Sequence, residues 1–137
     1  MNPLMKFGIA GHVKLYRSSG GKRGAEVTGM PVLLLTTTGR KSGKPRTVPL
    51  VYTEKDGIRY IAGSYGGNPK HPAWFLNLRE NPNVKVQVGA DEQDIVAEIL
   101  PSDERAAIWP MFLETSQFVG YEKKTTREIP VIRLASK

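Results

Sequence analysis

Residues 36–46 read Thr-Thr-Thr-Gly-Arg-Lys-Ser-Gly-Lys-Pro-Arg, and these residue types at this spacing could hold an anion. Four cations, Arg40, Lys41, Lys44 and Arg46, fall within seven residues. Thr37, Thr38 and Ser42 add hydroxyl donors, while Gly39 and Gly43 leave room for backbone N–H groups to approach an oxyanion. Phosphate is the natural guest of such a turn. A P-loop is excluded, because no Gly-Lys-Ser/Thr follows the first glycine at the required spacing and the next segment has strand character. On charge alone, a solvated hairpin tip accounts for the same residues equally well.

The remaining side chains offer little independent chemistry. The chain has no cysteine, which excludes disulfides, thiolate metal sites and cysteine nucleophiles. His12 and His71 have no partner cluster, so capping or surface roles are expected for them and no metal site. No Ser-His-Asp set or carboxylate pair emerges. A net charge of +7, from 20 Lys+Arg against 13 Asp+Glu, favours an acidic partner. Outside the turn the cations are scattered among acids, and aromatics do not alternate with cations along one sheet. A compact pocket is therefore expected in place of a nucleic-acid track, although residues 43–46 bear a faint likeness to a minor-groove arm.

The elements that must position the turn come from periodicity. Leu4, Met5, Phe7, Ile9, Val13 and Tyr16 follow a loose helical stripe, opposed by Gly8 and Gly11. A basic, small-residue linker covers residues 18–24. Strands are expected at 32–37, 47–53 and 58–62, the last entered through an Asp56-Gly57 hairpin turn. After a loop at 64–70, Pro72 suits the first turn of a short helix over 71–81, which Pro82 stops. Val84, Val86 and Val88 share one strand face, as do Ile95, Ala97 and Ile99 beyond a turn at 89–93. Ser102, Asp103 and Glu104 open another helix in which Pro110 is expected as a kink or break, and a last strand spans 129–134. Six strands joined by tight turns predict a mainly β, α+β fold: an antiparallel barrel with helices on its flank. An N-terminal helix and linker, residues 1–30, would precede the barrel unit, residues 31–137. No apolar stretch reaches the roughly 20 residues of a membrane span, and the start lacks a secretory apolar block. A cytoplasmic protein is expected, with the N-terminal stripe, Lys6, Lys14 and Arg17 as a surface for anionic lipid.

The ordered series of residues 36–43, Arg46, Pro49-Leu50, Gly66-Gly67, residues 72–78 and Asn81-Pro82 resembles the deazaflavin-dependent nitroreductase family, from around Pro31 to Leu134. The resemblance implies a six-stranded antiparallel split β-barrel of the FMN-binding-like type and coenzyme F420 as cofactor. It implies that Thr38, Gly39, Arg40, Lys41, Ser42 and Arg46 hold the phosphate of the cofactor tail, with Lys44 and Lys70 contributing. Pro49, Val51, Ala62, Ser64, Gly66 and Gly67 would wall the deazaflavin ring. Trp74 would close its margin, though helical spacing with Phe75 and Leu78 suits a core role equally. Tyr121 falls at a tyrosine position and is the expected catalytic proton donor and substrate contact. Phe118 stands where related members have tyrosine, and Tyr65 is a further rim residue for substrate. The expected reaction is hydride transfer from reduced deazaflavin to a small electrophile: a quinone, an enone or lactone, or a nitroaromatic. FMN is the alternative cofactor, since related split barrels bind it and a shorter tail needs fewer cations. Monomer and homodimer both remain open, and an actinobacterial or archaeal source is implied.

Overall fold

The computed structural model describes residues 3–22, 24, 26, 27, 30–63, 71–114 and 128–136. Its centre is β2 (Met30–Thr38), in which Val32, Leu33, Leu34 and Leu35 are all buried. Alternation is absent because both faces are covered: Leu33 and Leu35 point into the barrel, and Val32 and Leu34 pack under the N-terminal helix α1 (Pro3–Ser18). A two-residue strand, β1 (Glu26–Val27), pairs with the start of β2.

β2 hydrogen-bonds on one side to β3 (Pro45–Val51) and on the other to β6 (Asn83–Val88). From β6 the antiparallel sheet continues through β7 (Asp91–Ile99), β8 (Val131–Ser136) and β5 (Ile58–Ala62) to β4 (Thr53–Lys55). Only Tyr52 separates β3 from β4, yet the two pair with opposite ends of the sheet. The sheet therefore curls until one run of chain joins its two ends, as a split barrel requires. All six expected strands are present. The structure adds β1 and interrupts the expected strand 47–53 at Tyr52, which gives eight segments, or seven when β3 and β4 count as one run. Asp56 and Gly57 form the two-residue turn between β4 and β5, with φ of 54° and 79°, as the sequence leads one to expect of a type I′ hairpin.

Side chains from β2, β3 and β5 to β8 fill the barrel, with α2 (Ala73–Glu80) capping it through Trp74, Phe75 and Leu78. Val84, Val86, Ile95 and Ala97 point inward as their alternation predicts. Ile99 does not: although it shares their parity, it is 38% exposed. The turn between β6 and β7 is shorter than expected, since Val88 pairs with Asp91. Pro72 sits at the N-cap, one residue ahead of the helix, and its carbonyl accepts from the N–H groups of Phe75 and Leu76.

The outer face of β5 and β8 is covered by α3 (Ser102–Phe112) through Ile108, Trp109 and Phe112. Pro110 does not break this helix. Ala106 and Pro110 are exposed, so water can satisfy the carbonyl that a proline cannot reach, and the Leu113 N–H resumes the ladder to Trp109 O. Ser102 is the first helical residue behind Pro101, and its hydroxyl bonds the Glu128 carboxylate at 3.2 Å in place of capping. On the surface, Arg133 donates to Glu98 at 2.7 Å, a hydrogen bond that raises the guanidinium above its usual pKa.

Helix α1 survives Gly8 and Gly11 because tertiary packing outweighs the roughly 1 kcal/mol that each glycine costs relative to alanine. Tyr16, 1% exposed, anchors it. Its hydroxyl donates to Val32 O at 3.0 Å and accepts from the Gly89 N–H at 2.8 Å, tying α1 to β2 and to the β6–β7 turn. Replacing Tyr16 by Phe leaves both partners without this hydroxyl, so Tyr16→Phe should lose about 1 to 3 kcal/mol of stability in urea unfolding. An unchanged unfolding curve would show that this hydroxyl is not the clamp.

Candidate functional site

The basic turn is the tip of the β2–β3 hairpin. Thr38 pairs with Pro45, Thr37 with Arg46 and Thr36 with Thr47, so residues 39–44 form the connection. The Gly39 N–H donates to Lys44 O and the Gly43 N–H to Gly39 O, both at 2.8 Å, while the Lys44 N–H donates to Ser42 Oγ at 3.2 Å. Gly39 is buried where the tip folds back on itself. A Cβ there would lie 2.6 Å from Ser42 Oγ and 3.2 Å from Lys44 O, which explains the glycine.

These bonds change the reading of the turn. The amides of Gly39 and Gly43, expected to face an oxyanion, are committed to closing the loop. Within the turn, the N–H groups of Lys41 and Ser42 have no partner among the described residues. The Ser42 hydroxyl accepts from the Lys44 N–H and so keeps its own hydrogen to donate. Arg40, Lys41, Lys44 and Arg46 are all exposed. Among the described residues the ion pairs join Arg105 to Glu128 and Arg133 to Glu98 and Glu104, so none of the four turn cations has an acidic partner.

Among the described residues, a buried side chain of α2 joins this exposed tip to the body. Asn77 of α2, 5% exposed, accepts the Arg40 N–H on Oδ1 at 3.1 Å and lies 3.5 Å from Arg40 Nη1. Its Nδ2 donates to Thr37 Oγ1 at 3.1 Å, and Thr37 is itself buried. Sequence reasoning placed Asn77 in a motif without giving it a role. The available signal was a single polar residue at i+3 from Trp74 and next to Leu78, on the stripe that the helix buries.

The residues expected to wall the ring are placed as follows. Val51 and Ala62 meet in the cluster covered by α3, and Val51 also touches the α1 cluster. Pro49, half-buried, shares the Val51 face of β3, and Thr38 is half-buried at the hairpin end. Trp74 is in the barrel core, 8% exposed and edge-on to Phe75. Beyond the same face of β3, an open groove of about 610 Å³ is lined by Ala10, Val13, Lys14, Arg17, Ser18 and Thr47, with Arg17 bonding Thr47 Oγ1 at 3.3 Å. Ser64, Tyr65, Gly66, Gly67, Lys70, Phe118 and Tyr121 lie outside the described residues, as does the Lys6 side chain. The His12 ring meets Gly24 O at 2.8 Å, a local structural contact. No group of metal-ligating side chains occurs among the described residues. None of the described helices is long and apolar enough to cross a membrane.

With this geometry in place, comparison with known proteins assigns the chain. The family model for F420H(2)-dependent quinone reductases matches residues 9–135, which takes in the later part of α1, nearly all of the barrel and the basic turn. The chain belongs to that family. An F420H(2)-dependent quinone reductase of Mycobacterium tuberculosis is 38% identical over 129 residues, covering 90% of this chain and 86% of the relative. A solved F420-H2 dependent reductase (FDR-A) is 42% identical and superposes with a TM-score of 0.69, over 77% of this chain and 94% of that one. A second solved structure, described as a domain-swapped dimer, is 34% identical with a TM-score of 0.72 and covers 96% of this chain and 97% of its own. The FMN alternative draws no support from the family or from these relatives.

Gly39 gives a direct check on the turn. In Gly39→Ala the methyl displaces Ser42 Oγ and the Lys44 N–H loses its acceptor, so thermal or urea unfolding should show a loss of about 0.5 to 1.5 kcal/mol. Full stability would mean that the loop closes in another way.

Proposed function

We propose that this chain transfers a hydride from reduced F420 to a quinone, holding the cofactor tail at the β2–β3 tip and the ring along the Pro49–Val51 face of β3. The observation that carries this reading is the set of four cations with no acidic partner among the described residues, on a tip fastened to the fold by a buried side chain. Coenzyme F420 carries a phosphate and several carboxylates on its tail, and such a tether needs concentrated positive charge. The guanidinium groups of Arg40 and Arg46 suit bidentate contact with phosphate or carboxylate, and Lys41 and Lys44 add point charge. The Ser42 hydroxyl and the amides of Lys41 and Ser42 complete the donor set.

When bound, the deazaflavin supplies the hydride at C5. The protein's share is orientation and exclusion of water. Pro49 and Val51, both half-buried, offer a low, apolar surface against which a flat ring can lie, and family resemblance assigns Ser64, the Gly66-Gly67 backbone and Ala62, itself buried under α3, to the same wall. A quinone that receives a hydride needs one proton to become the hydroquinone, and the phenol of Tyr121 is assigned to supply it, with Phe118 and Tyr65 beside the acceptor. The names of the relatives favour a quinone over an enone, a lactone or a nitroaromatic. The neighbour described as a domain-swapped dimer supports a homodimer as the assembly.

Anaerobic mixing of the purified chain with F420H2 and a soluble quinone tests the reaction; failure to oxidise F420H2 faster than the uncatalysed mixture would overturn it. Arg40→Ala should remove a charge-assisted contact worth about 1.5 to 3 kcal/mol, weakening F420 binding roughly ten- to hundredfold with the fold intact. Unchanged affinity in a fluorescence titration would take Arg40 out of the site. Tyr121→Phe should slow turnover more than it weakens F420 binding, and an equal rate would show that the proton comes from elsewhere.

A further inference from the structure

We propose that Asn77 is a positioning residue that holds the basic tip in its anion-binding form, and that an uncharged amide is required at this place. The inference rests on the reading that the tip binds the acidic tail of F420. The Arg40 N–H can only donate, so the Asn77 atom that it meets must be Oδ1, which turns Nδ2 toward Thr37 Oγ1. One side chain thus grips the backbone at the start of the exposed tip and the buried strand residue three positions before it. These bonds span 37 and 40 residues in sequence, so they join separate elements, the hairpin and α2. Residues 40–46 are all exposed, and Asn77 is the side chain of α2 that fastens them to the body. A tip released from this contact must be ordered anew when ligand binds, and that ordering subtracts from affinity.

Charge sets the second requirement. An aspartate at 77 could accept the Arg40 N–H and the Thr37 hydroxyl hydrogen, reproducing the geometry. Its carboxylate would also neutralise the Arg40 guanidinium, which already lies 3.5 Å from Oδ1, and would repel an incoming anion. The amide supplies the acceptor without the charge. Geometry and electrostatics can therefore be separated by two substitutions of similar size, Asn77→Leu and Asn77→Asp.

The test compares fluorescence titrations of the full chain with F420 and with its tail-less form, the deazaflavin ring carrying a ribityl chain but no phosphate or glutamates. The wild type should bind F420 more tightly, and that preference should fall as salt rises. Equal affinity for the two ligands in the wild type would sink the reading of the tip as a tail site. Where the wild type shows the preference, Asn77→Leu should lose about tenfold of F420 affinity while binding the tail-less form as before. Asn77→Asp should keep a near-native thermal unfolding curve and still lose at least as much F420 affinity, with a flatter salt dependence. This second variant keeps the test decisive if Asn77→Leu folds poorly. Should Asn77→Asp retain the wild-type preference for the tailed cofactor and its salt dependence, the proposal fails although the tail site stands.

Discussion

Backbone polar groups along an open sheet edge must be paired or solvated, and in this chain a single run, residues 45–55, meets both ends of the sheet. Its first half bonds β2 and its second half bonds β5, with Tyr52 as the hinge and the Tyr52 N–H donating to Pro31 O at 3.0 Å. This closure fixes where everything else can go. The interior becomes a volume to be filled from six strand runs and stoppered by α2, while the outer faces become surfaces for α1 and α3. It also holds the β2–β3 tip beside α2, where Asn77 can reach it.

The tip itself combines two opposed tendencies. Four like charges at one hairpin tip, three in the connection and Arg46 at the start of β3, repel one another, and nothing acidic among the described residues pairs with them. The strain is contained by internal bonds that close the loop at Gly39 and Ser42, and by one buried amide that ties Arg40 to the core. Binding of a multiply charged tether at the tip, as proposed, would relieve the repulsion, so the same arrangement would favour an acidic ligand. A neutral fastener preserves this bias.

Hydrophobic patterning carried much of the fold. β6 and β7 alternate in their apolar residues because one face of each lines the barrel, and the Asp56-Gly57 turn announces its hairpin by the positive φ that both residues adopt. β2 is unbroken in its apolar run because two layers cover it. Boundaries were less legible. The break at Tyr52, the short β1 and the persistence of α3 through Pro110 depend on what lies opposite each residue, and a local pattern carries no record of that. Ile99 has the right parity for the core and still faces solvent.

For the site, the order of residues alone determined the charge, the glycines and the hydroxyls of the tip, because these are properties of side-chain type at short spacing. It did not determine which amides remained free. The tertiary structure decided that the Gly39 and Gly43 N–H groups close the loop, that Val51 and Ala62 join one hydrophobic cluster, and that Asn77 bonds the tip from another element. The Gly39 and Gly43 bonds are local and follow from the register that pairs Thr38 with Pro45, whereas the Val51 and Ala62 contacts and the Asn77 bonds, which span 37 and 40 residues, form only when separate elements pack; both kinds claim groups that a list of residue types leaves unassigned.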